Sequence, residues 1–512
     1  MILFKAKTIY LSIDMSQLKN KNGHGEMTYR PRIAEAALPP AHPGIKENLV
    51  IFRNQHGTEA QGRLLRIERF QIVFEFYRTD QVLQVSEILD EFKVFAGGRE
   101  IYTGAAVVMN LLPAGIGLAC EVKLNEPGIT IGIRTPDNGQ TNVLDAYHAF
   151  FKQWQVQSKL LPEFKLAVLD FKSYLWDLRL LLDQISIAIS SHAMQKQPEV
   201  ELQVAKDLKP AILSTVDALR ERLLEATRRI KPEAREAHQI FLRRHLHPLT
   251  LSAPFAYRTY QKPLGYAGDY EMMNMIHRNT FEGRSLYSKI VHYWLVSQYP
   301  AISVRNRAVH MKEKLIQETS RIARKKRVAR ILNIGCGPAQ EVQNFMAETP
   351  LADQADFTLL DFDAETLDYC KSKIREAQIK HGRKTRVRFQ RMSVTSLIKN
   401  SALLARQTLG GDFDLIYCGG LFDYLTDPVC KKCVDLFYHC LAPGGLVVVA
   451  NMSDRVPFRD MMEFLLDWHL IYRNADCMAS FEPENIPPES ARVITEPVGV
   501  NLFLEIRKPE RG

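Results

Sequence analysis

The chain has 512 residues, 46% hydrophobic and 24% charged, proportions of folded domains rather than of a disordered or fibrous chain. That length exceeds what one hydrophobic core organises, so two or three domains are expected. The net charge of +9 is spread along the chain with no basic block interleaved with aromatics, which argues against a nucleic-acid partner.

The opening MILFKAKTIYLSIDM is too short and too interrupted for a signal peptide, and nowhere do about 18 apolar residues run unbroken, so a cytoplasmic protein without a transmembrane segment is expected. Residues 1–46 combine charged residues with Pro31, Pro39, Pro40 and Pro43 and read as a disordered or extended leader. From 47 to 132 short runs rich in Val, Ile and Phe (LVIFR, GRLLRIE, QIVFEFY, EFKVFAGG, REIYTGAAVVMNLL, GIGLACEVKL) alternate with turns and predict a small six-stranded β-barrel. Ala105 to Cys120 is broken by Asn110, Pro113 and two glycines, and reads as two strands and a turn.

The cadence of GRLLRIERFQIVFEF resembles PilZ domains, a resemblance that implies a barrel able to receive cyclic di-GMP. At the matching positions stand Arg66, Glu68 and Gln71, without the small residue that lets backbone approach a phosphate, so a docking module is the expectation rather than a nucleotide sensor.

Residues 143–245 predict long amphipathic helices. Phe164, Val168, Phe171, Leu175, Leu178, Leu182 and Ile185 recur at intervals of four and three, and Leu208, Ile212, Leu219, Leu223, Ala226 and Ile230 continue the pattern. An intramolecular bundle and a coiled coil joining a homodimer both satisfy it. Residues 246–320 follow as a helical segment in which KPLGYAGDYEMMNMI is unusually dense. Asp269 there could simply cap a helix, but Tyr266 and Tyr270 beside Gly265 and Gly268 suggest a lid or acceptor site, with Tyr266 and Asp269 as catalytic candidates and Tyr270 binding the acceptor. Met272, Met273 and Met275 fit either a chain-binding groove or plain core.

In residues 321–512 strands and helices alternate as in a doubly wound parallel sheet. ARILNIGCGPAQEV sets a buried strand against Gly335-Cys336-Gly337 and then a helix near Gln340 and Glu341, a loop that lets a ligand meet bare backbone and a helix N-terminus. About 20 residues on, FTLLDFD ends in Asp361, suited to the two hydroxyls of a ribose, with Phe362 beside it and Asp363 as helix cap. VRFQRMSV, FDLIYCGG, GGLVVVANMS and NLFLEIRK supply further strands, and Pro443-Gly444-Gly445 turns a helix into a strand. These elements resemble class I S-adenosylmethionine-dependent methyltransferases, which implies that cofactor on Gly335, Cys336, Gly337, Glu341, Asp361, Phe362, Cys418 and Gly419. Ser393 and Val394 stand where the family often carries an acid for adenine, so they join the expected cofactor site, with adenine held by Ser393 or backbone and by packing against Phe362.

Candidates for the acceptor site are Arg305 and Arg307 in SVRNR, Asp423 and Tyr424 in GGLFDYL, and Trp468, Tyr472 and Arg473 in LLDWHLIYR, with Tyr424 favoured, as a catalytic residue, because loops after strands bind ligands in such sheets. Together with HPLTLSAPFAYRTYQKPLGYAGDYEMMN and LNIGCGPAQE they resemble bacterial methyltransferases assigned to biosynthesis of an extracellular 3-hydroxypalmitic acid methyl ester. That resemblance implies a small-molecule acceptor, a 3-hydroxy fatty acid whose carboxylate meets Arg305, Arg307 or Arg473. A non-catalytic cofactor-binding scaffold and a protein methyltransferase are the competing readings. Cys430 and Cys433 lie on the amphipathic helix KKCVDLFYHCL with no second pair among the eight cysteines, so no metal is expected.

Overall fold

The computed structural model describes residues 48–53, 59–68, 70–76, 83, 86–96, 99–114, 117–124, 147–148, 151, 160–190, 196–399, 407, 409–487 and 489–510. The leader assigned to residues 1–46 lies outside them. Six strands, β1 (Leu49–Arg53), β2 (Glu59–Ile67), β3 (Gln71–Phe76), β4 (Ile88–Ala96), β5 (Arg99–Ala114) and β6 (Gly117–Leu124), close into a barrel in the order β1-β2-β3-β6-β5-β4. Every neighbouring pair is antiparallel. Alternation dictates this closure: every second residue of β1 and β3 is buried, so one face of each strand turns inward. Phe52, Phe74 and Phe92 fill the interior, with ring centroids 5.2 Å (Phe52–Phe74) and 5.8 Å (Phe74–Phe92) apart.

The middle of the chain is helical: α1 (Pro162–Ser190), α2 (Gln197–Thr227), α3 (Arg235–Thr250), α4 (Pro254–Gln261), α5 (Tyr270–Arg278), α6 (Leu286–Val296) and α7 (Tyr299–Ala323). Proline in the first turn of α1, α2, α4 and α7 presets the backbone where the missing N–H has no partner to lose. Phe164, Val168, Phe171, Leu175, Leu178 and Leu182 are all buried, as their spacing requires, while Ile185 is half-buried. This core does not stop at the helices. It continues through Met452, Val456, Phe458, Met461 and Trp468 of the C-terminal region.

The C-terminal sheet has seven strands: β7 (Ala329–Ile334), β8 (Ala355–Asp361), β9 (Arg386–Arg391), β10 (Phe413–Cys418), β11 (Leu441–Met452), β12 (Ala491–Thr495) and β13 (Asn501–Arg507), ordered β12-β13-β11-β10-β7-β8-β9. Between them run α8 (Gln340–Glu348), α9 (Ala364–His381), α10 (Val394–Lys399), α11 (Asp427–His439), α12 (Arg459–Phe464) and α13 (Ala475–Ala479). β9-β8-β7-β10-β11 are parallel, but the all-parallel expectation fails at the edge, where β13 runs antiparallel to both β11 and β12. The reason is local. The strand ARVIT, not anticipated from sequence, returns through a tight turn in which the Glu496 carboxylate accepts the N–H groups of Val498 (3.0 Å) and Val500 (2.9 Å), and so short a turn joins antiparallel strands only.

Among the described residues no helix is long and apolar enough to cross a membrane. Cys430 and Cys433 are fully buried in an apolar cluster with Phe422, Phe437 and Val447.

Candidate active site

Adjacent β7 and β10 send the chain to opposite sides of the sheet, so a crevice opens beyond their C-terminal ends. The loop after β7 forms its floor. Gly335 (φ +68°) and Gly337 (φ +52°) occupy left-handed conformations, and a Cβ on Gly337 would meet nothing within 4 Å, so the loop leaves bare backbone facing open space. The loop is pinned to the next strand, with Gly335 N–H and Cys336 N–H donating to Leu360 O at 2.8 and 3.0 Å. Asp361, at the end of β8, accepts from Gly337 N–H (3.0 Å) and Asp363 N–H (3.1 Å). Burial pushes its carboxyl above the usual range, against the pull of those backbone donors. Asp363 caps α9, accepting from Thr366 N–H at 2.7 Å.

A cavity of about 320 Å³ extends from this loop to α5, α7 and the segment after β10. Its polar wall holds three linked groups. Glu341 accepts from Asn333 Nδ2 (3.0 Å) and from the Tyr417 hydroxyl (2.8 Å), and burial raises its carboxyl. Arg307, from α7, lies against Gly420 and approaches Asp423 at 3.8 Å; it makes no hydrogen bond with any described residue. Asp423 is buried and pushed up to about 6 by desolvation, opposed by Arg307 and by the Met452 N–H that it accepts at 2.7 Å. His277 completes this wall, held neutral near 4 by burial and by the neighbouring Arg307 and Arg305. The remaining walls are apolar: Met273, Val304, Ala308, Met311, Leu421 and Met452.

The segment between α4 and α5 covers this cavity. Tyr266 packs on half-exposed Phe362 at 5.1 Å between centroids, and burial pushes its hydroxyl up to about 12. Tyr424 latches the segment, donating to Ala267 O (2.9 Å) while accepting from Trp468 Nε1 (3.0 Å). At the base of the segment Lys262 pairs with Asp467, which also holds Arg243 at 2.8 Å. Tyr270 donates to Glu365 at 2.8 Å and stacks on Tyr369, joining the segment to α9.

The cavity thus gathers Tyr266, Tyr270, Arg307, Gly335, Cys336, Gly337, Glu341, Asp361, Phe362, Gly419, Tyr424 and Trp468 of the residues expected from sequence. Others it does not. Asp269 is buried as the cap of α5, accepting from Met272 N–H (2.8 Å) and paired with Arg258 (2.8 Å), so both oxygens are engaged away from any acceptor. Arg305 donates from Nη1 to Ile276 O (3.0 Å) and Val296 O (2.8 Å) and does not line the cavity. Arg473, 2% exposed, donates to Phe422 O (2.8 Å) and Asp427 (2.7 Å), and to Leu425 O and Asn451, clamping the loop after β10. Tyr472 lies under Arg459 at 4.3 Å outside the cavity. Ser393 accepts from Ser396 N–H (3.2 Å) at the start of α10, so Ser393 and Val394 belong to a helix start and not to the cavity wall. Cys418 is buried in the sheet core, and Met272 and Met275 are core, leaving Met273 alone of the three on the cavity.

Sequence reasoning missed His277, Asn333 and Tyr417. Two signals for them existed: Tyr270, Met273 and His277 recur at helical spacing on one face of α5, and Asn333 and Tyr417 interrupt the apolar C-terminal halves of two central strands.

Comparison with known proteins bears on the same region. Residues 331–445 match the family described as "Methyltransferase domain". The "Uncharacterized protein RP028" of Rickettsia prowazekii (strain Madrid E) is 26% identical over 143 residues, 27% of this chain and 50% of that protein, so the chain spans half the length of this curated relative. Among solved structures, PKMT2 from Rickettsia typhi in complex with AdoHcy is 22% identical over 27% of this chain and 22% of its own, with a TM-score of 0.20. Magnesium protoporphyrin IX methyltransferase from Synechocystis PCC 6803 with bound SAH is 9% identical over 49% of this chain and 97% of its own, with a TM-score of 0.29. The open glycine cradle beside a buried acceptor carboxylate fits an adenosine-bearing ligand. Residues 331–445, which carry this cradle and Asp361, are thus a methyltransferase domain, with S-adenosylmethionine as its cofactor.

Proposed function

We propose that the whole chain is an S-adenosylmethionine-dependent methyltransferase and that it methylates the carboxylate of a small apolar acid, of the kind represented by a 3-hydroxy fatty acid. One observation carries this reading: of the three arginines that the sequence offers an acid, Arg473 is saturated by the protein, Arg305 is tied through Nη1 to two backbone carbonyls outside the cavity lining, and Arg307 faces the cavity with its hydrogen-bonding capacity unspent. The apolar walls opposite it suit an acyl chain. S-adenosylmethionine supplies an electrophilic methyl group on a sulfonium. A carboxylate is already ionised at neutral pH and needs no base, so the work left to the protein is to hold it in line and exclude water. Arg307 orients the acid, the Tyr266 segment latched by Tyr424 covers it, and neutral His277 adds no competing charge. On the cofactor side, Asp361 would take the ribose hydroxyls, Phe362 would lie against adenine, and Glu341 would take the ammonium group.

Within this reading residues 47–132 form a PilZ-like docking module, 143–245 a helical linker, 246–320 the lid and acceptor segment and 321–512 the catalytic domain, in a cytosolic enzyme. The test uses methyl-labelled cofactor with 3-hydroxypalmitate and with cell extract. Alkali-labile label in organic solvent is the expected product; label in precipitated protein would make the acceptor a protein side chain, and no transferred label despite cofactor binding would make the domain a sensor. Arg307→Gln raises the acceptor KM at least about tenfold and leaves cofactor Kd unchanged. A rise in cofactor Kd alone would assign Arg307 to the cofactor's own carboxylate and remove the support for an acid acceptor.

A further inference from the structure

Helix α1 carries two apolar faces. Phe164, Val168, Phe171, Leu175, Leu178 and Leu182 are spent on the core. On the opposite side Leu166, Leu169, Trp176, Leu180 and Ile187 are exposed at 58, 44, 41, 49 and 72%. With Leu166 at a first core position these five fall on successive a and d positions of a heptad pattern, and Ser173 and Asp183 occupy the two positions between. A stripe of roughly three heptads of large apolar residues in water is a surface awaiting a partner helix.

The charges beside the stripe state which helix. Lys165, Lys172 and Arg179 flank it on the g side, and Asp170, Asp177 and Gln184 flank it on the e side. In a parallel pair each g position faces the following e position of the other helix, which sets Lys165 against Asp170 of the partner subunit and Lys172 against Asp177 of the partner subunit. An antiparallel pair sets g against g and e against e, bringing like charges together. Lys172 and Asp177 form no ion pair among the described residues. Asp170 meets Arg222 at 2.8 Å, but that pair is largely exposed and weak. We propose that a second copy of this chain covers the stripe, forming a parallel, two-fold homodimer along α1.

The test is light scattering and sedimentation equilibrium on the full chain. Twice the chain mass is expected for the parent, and Leu169→Asp with Trp176→Asp should give the single-chain mass with unchanged helix content and cofactor binding. Because these changes could disturb the helix itself, charge reversal provides a second arm that leaves the apolar stripe intact. Lys172→Asp or Asp177→Lys alone should weaken the dimer about tenfold, and the two together should restore it. Ser173→Cys should link two chains through its new thiol, since the native cysteines are buried apart from half-buried Cys477. A parent that stays single at every concentration overturns the proposal, as does a dimer indifferent to charge reversal or unlinked by Ser173→Cys.

Discussion

The latch over the cavity makes a quantitative prediction from two glycines that differ in one respect. Gly265 and Gly268 both hold left-handed backbone, with φ of +84° and +83°. A Cβ at Gly265 would meet nothing within 4 Å, whereas at Gly268 it would lie 2.4 Å from the Tyr424 hydroxyl oxygen. Gly265→Ala therefore carries only the conformational penalty, about 1 kcal/mol. Gly268→Ala carries that penalty and also displaces the hydroxyl that bridges Ala267 O and Trp468 Nε1, two hydrogen bonds of about 1 kcal/mol each, for a total of about 3 kcal/mol. Thermal or denaturant unfolding in parallel with acceptor KM should show Gly268→Ala the less stable of the two by about 2 kcal/mol, and with the weaker acceptor binding. In a Tyr424→Phe background the nearest remaining ring atom is 3.5 Å away, so the two alanine variants should become equivalent. If they are already equivalent in the parent, or if the difference persists without the hydroxyl, the latch is not what holds this segment.

Asp361→Ala removes a buried acceptor at the glycine cradle and should weaken cofactor binding about a hundredfold by calorimetry, with the fold intact by circular dichroism; unchanged affinity would withdraw its role. Asp423 has its carboxyl raised from 3.8 to about 6 in the folded protein. The folded state therefore binds that proton more tightly, and the stability it contributes is full below about pH 4 and is lost as pH rises through about 6. Asp423→Asn keeps the acceptor for Met452 N–H and lacks the titration, so the parent should lose on the order of 3 kcal/mol relative to it between pH 4 and 7, and parallel pH profiles would refute the assignment.

The parts of this molecule governed by local periodicity were legible before any coordinates. Alternation in QIVFEF predicts a half-buried strand, four-three spacing in α1 predicts a buried helix face, and a strand running into Gly335-Cys336-Gly337 predicts the cradle. What escaped depends on distant partners. Nothing near Arg473 reveals that its guanidinium will be consumed by Phe422 O and Asp427, nor that Arg305 will serve two helix ends while Arg307, two residues on, faces the cavity. Ser393 illustrates the same limit: its place after β9 marks it for a ligand, and nothing nearby in sequence reveals that its hydroxyl also accepts from Ser396 N–H in the next turn. The hairpin of β12 and β13 was hidden for a different reason. ARVIT is short and only half-buried, so it carries little hydrophobic signal, and the turn that reverses the chain rests on a glutamate rather than on the usual turn residues alone.

The boundary near residue 320, natural by sequence pattern, is not a boundary in the packing. Met452, Val456, Phe458, Met461, Met462, Phe464, Leu465 and Trp468 belong to the sequence of the catalytic region, but they are buried with α1, α3 and α6 in one core. Arg243 donates to Phe464 O (2.7 Å) and Glu463 O (2.9 Å), and His247 bonds to Leu465 O (2.8 Å), so the backbone of this loop is satisfied from the helical side. Residues 321–512 expressed alone would expose eight large side chains at roughly 1.5–3 kcal/mol each and leave those carbonyls bare. That fragment should aggregate or melt without a cooperative transition, whereas residues 160–512 should fold and bind cofactor. A stable, cofactor-binding 321–512 would show that the helices merely decorate the sheet. The cavity argues otherwise, because Tyr266, His277 and Arg307 reach it from the helices while Gly337, Asp423 and Trp468 reach it from the sheet and its loops, so the acceptor chamber exists only where the two regions fold as one.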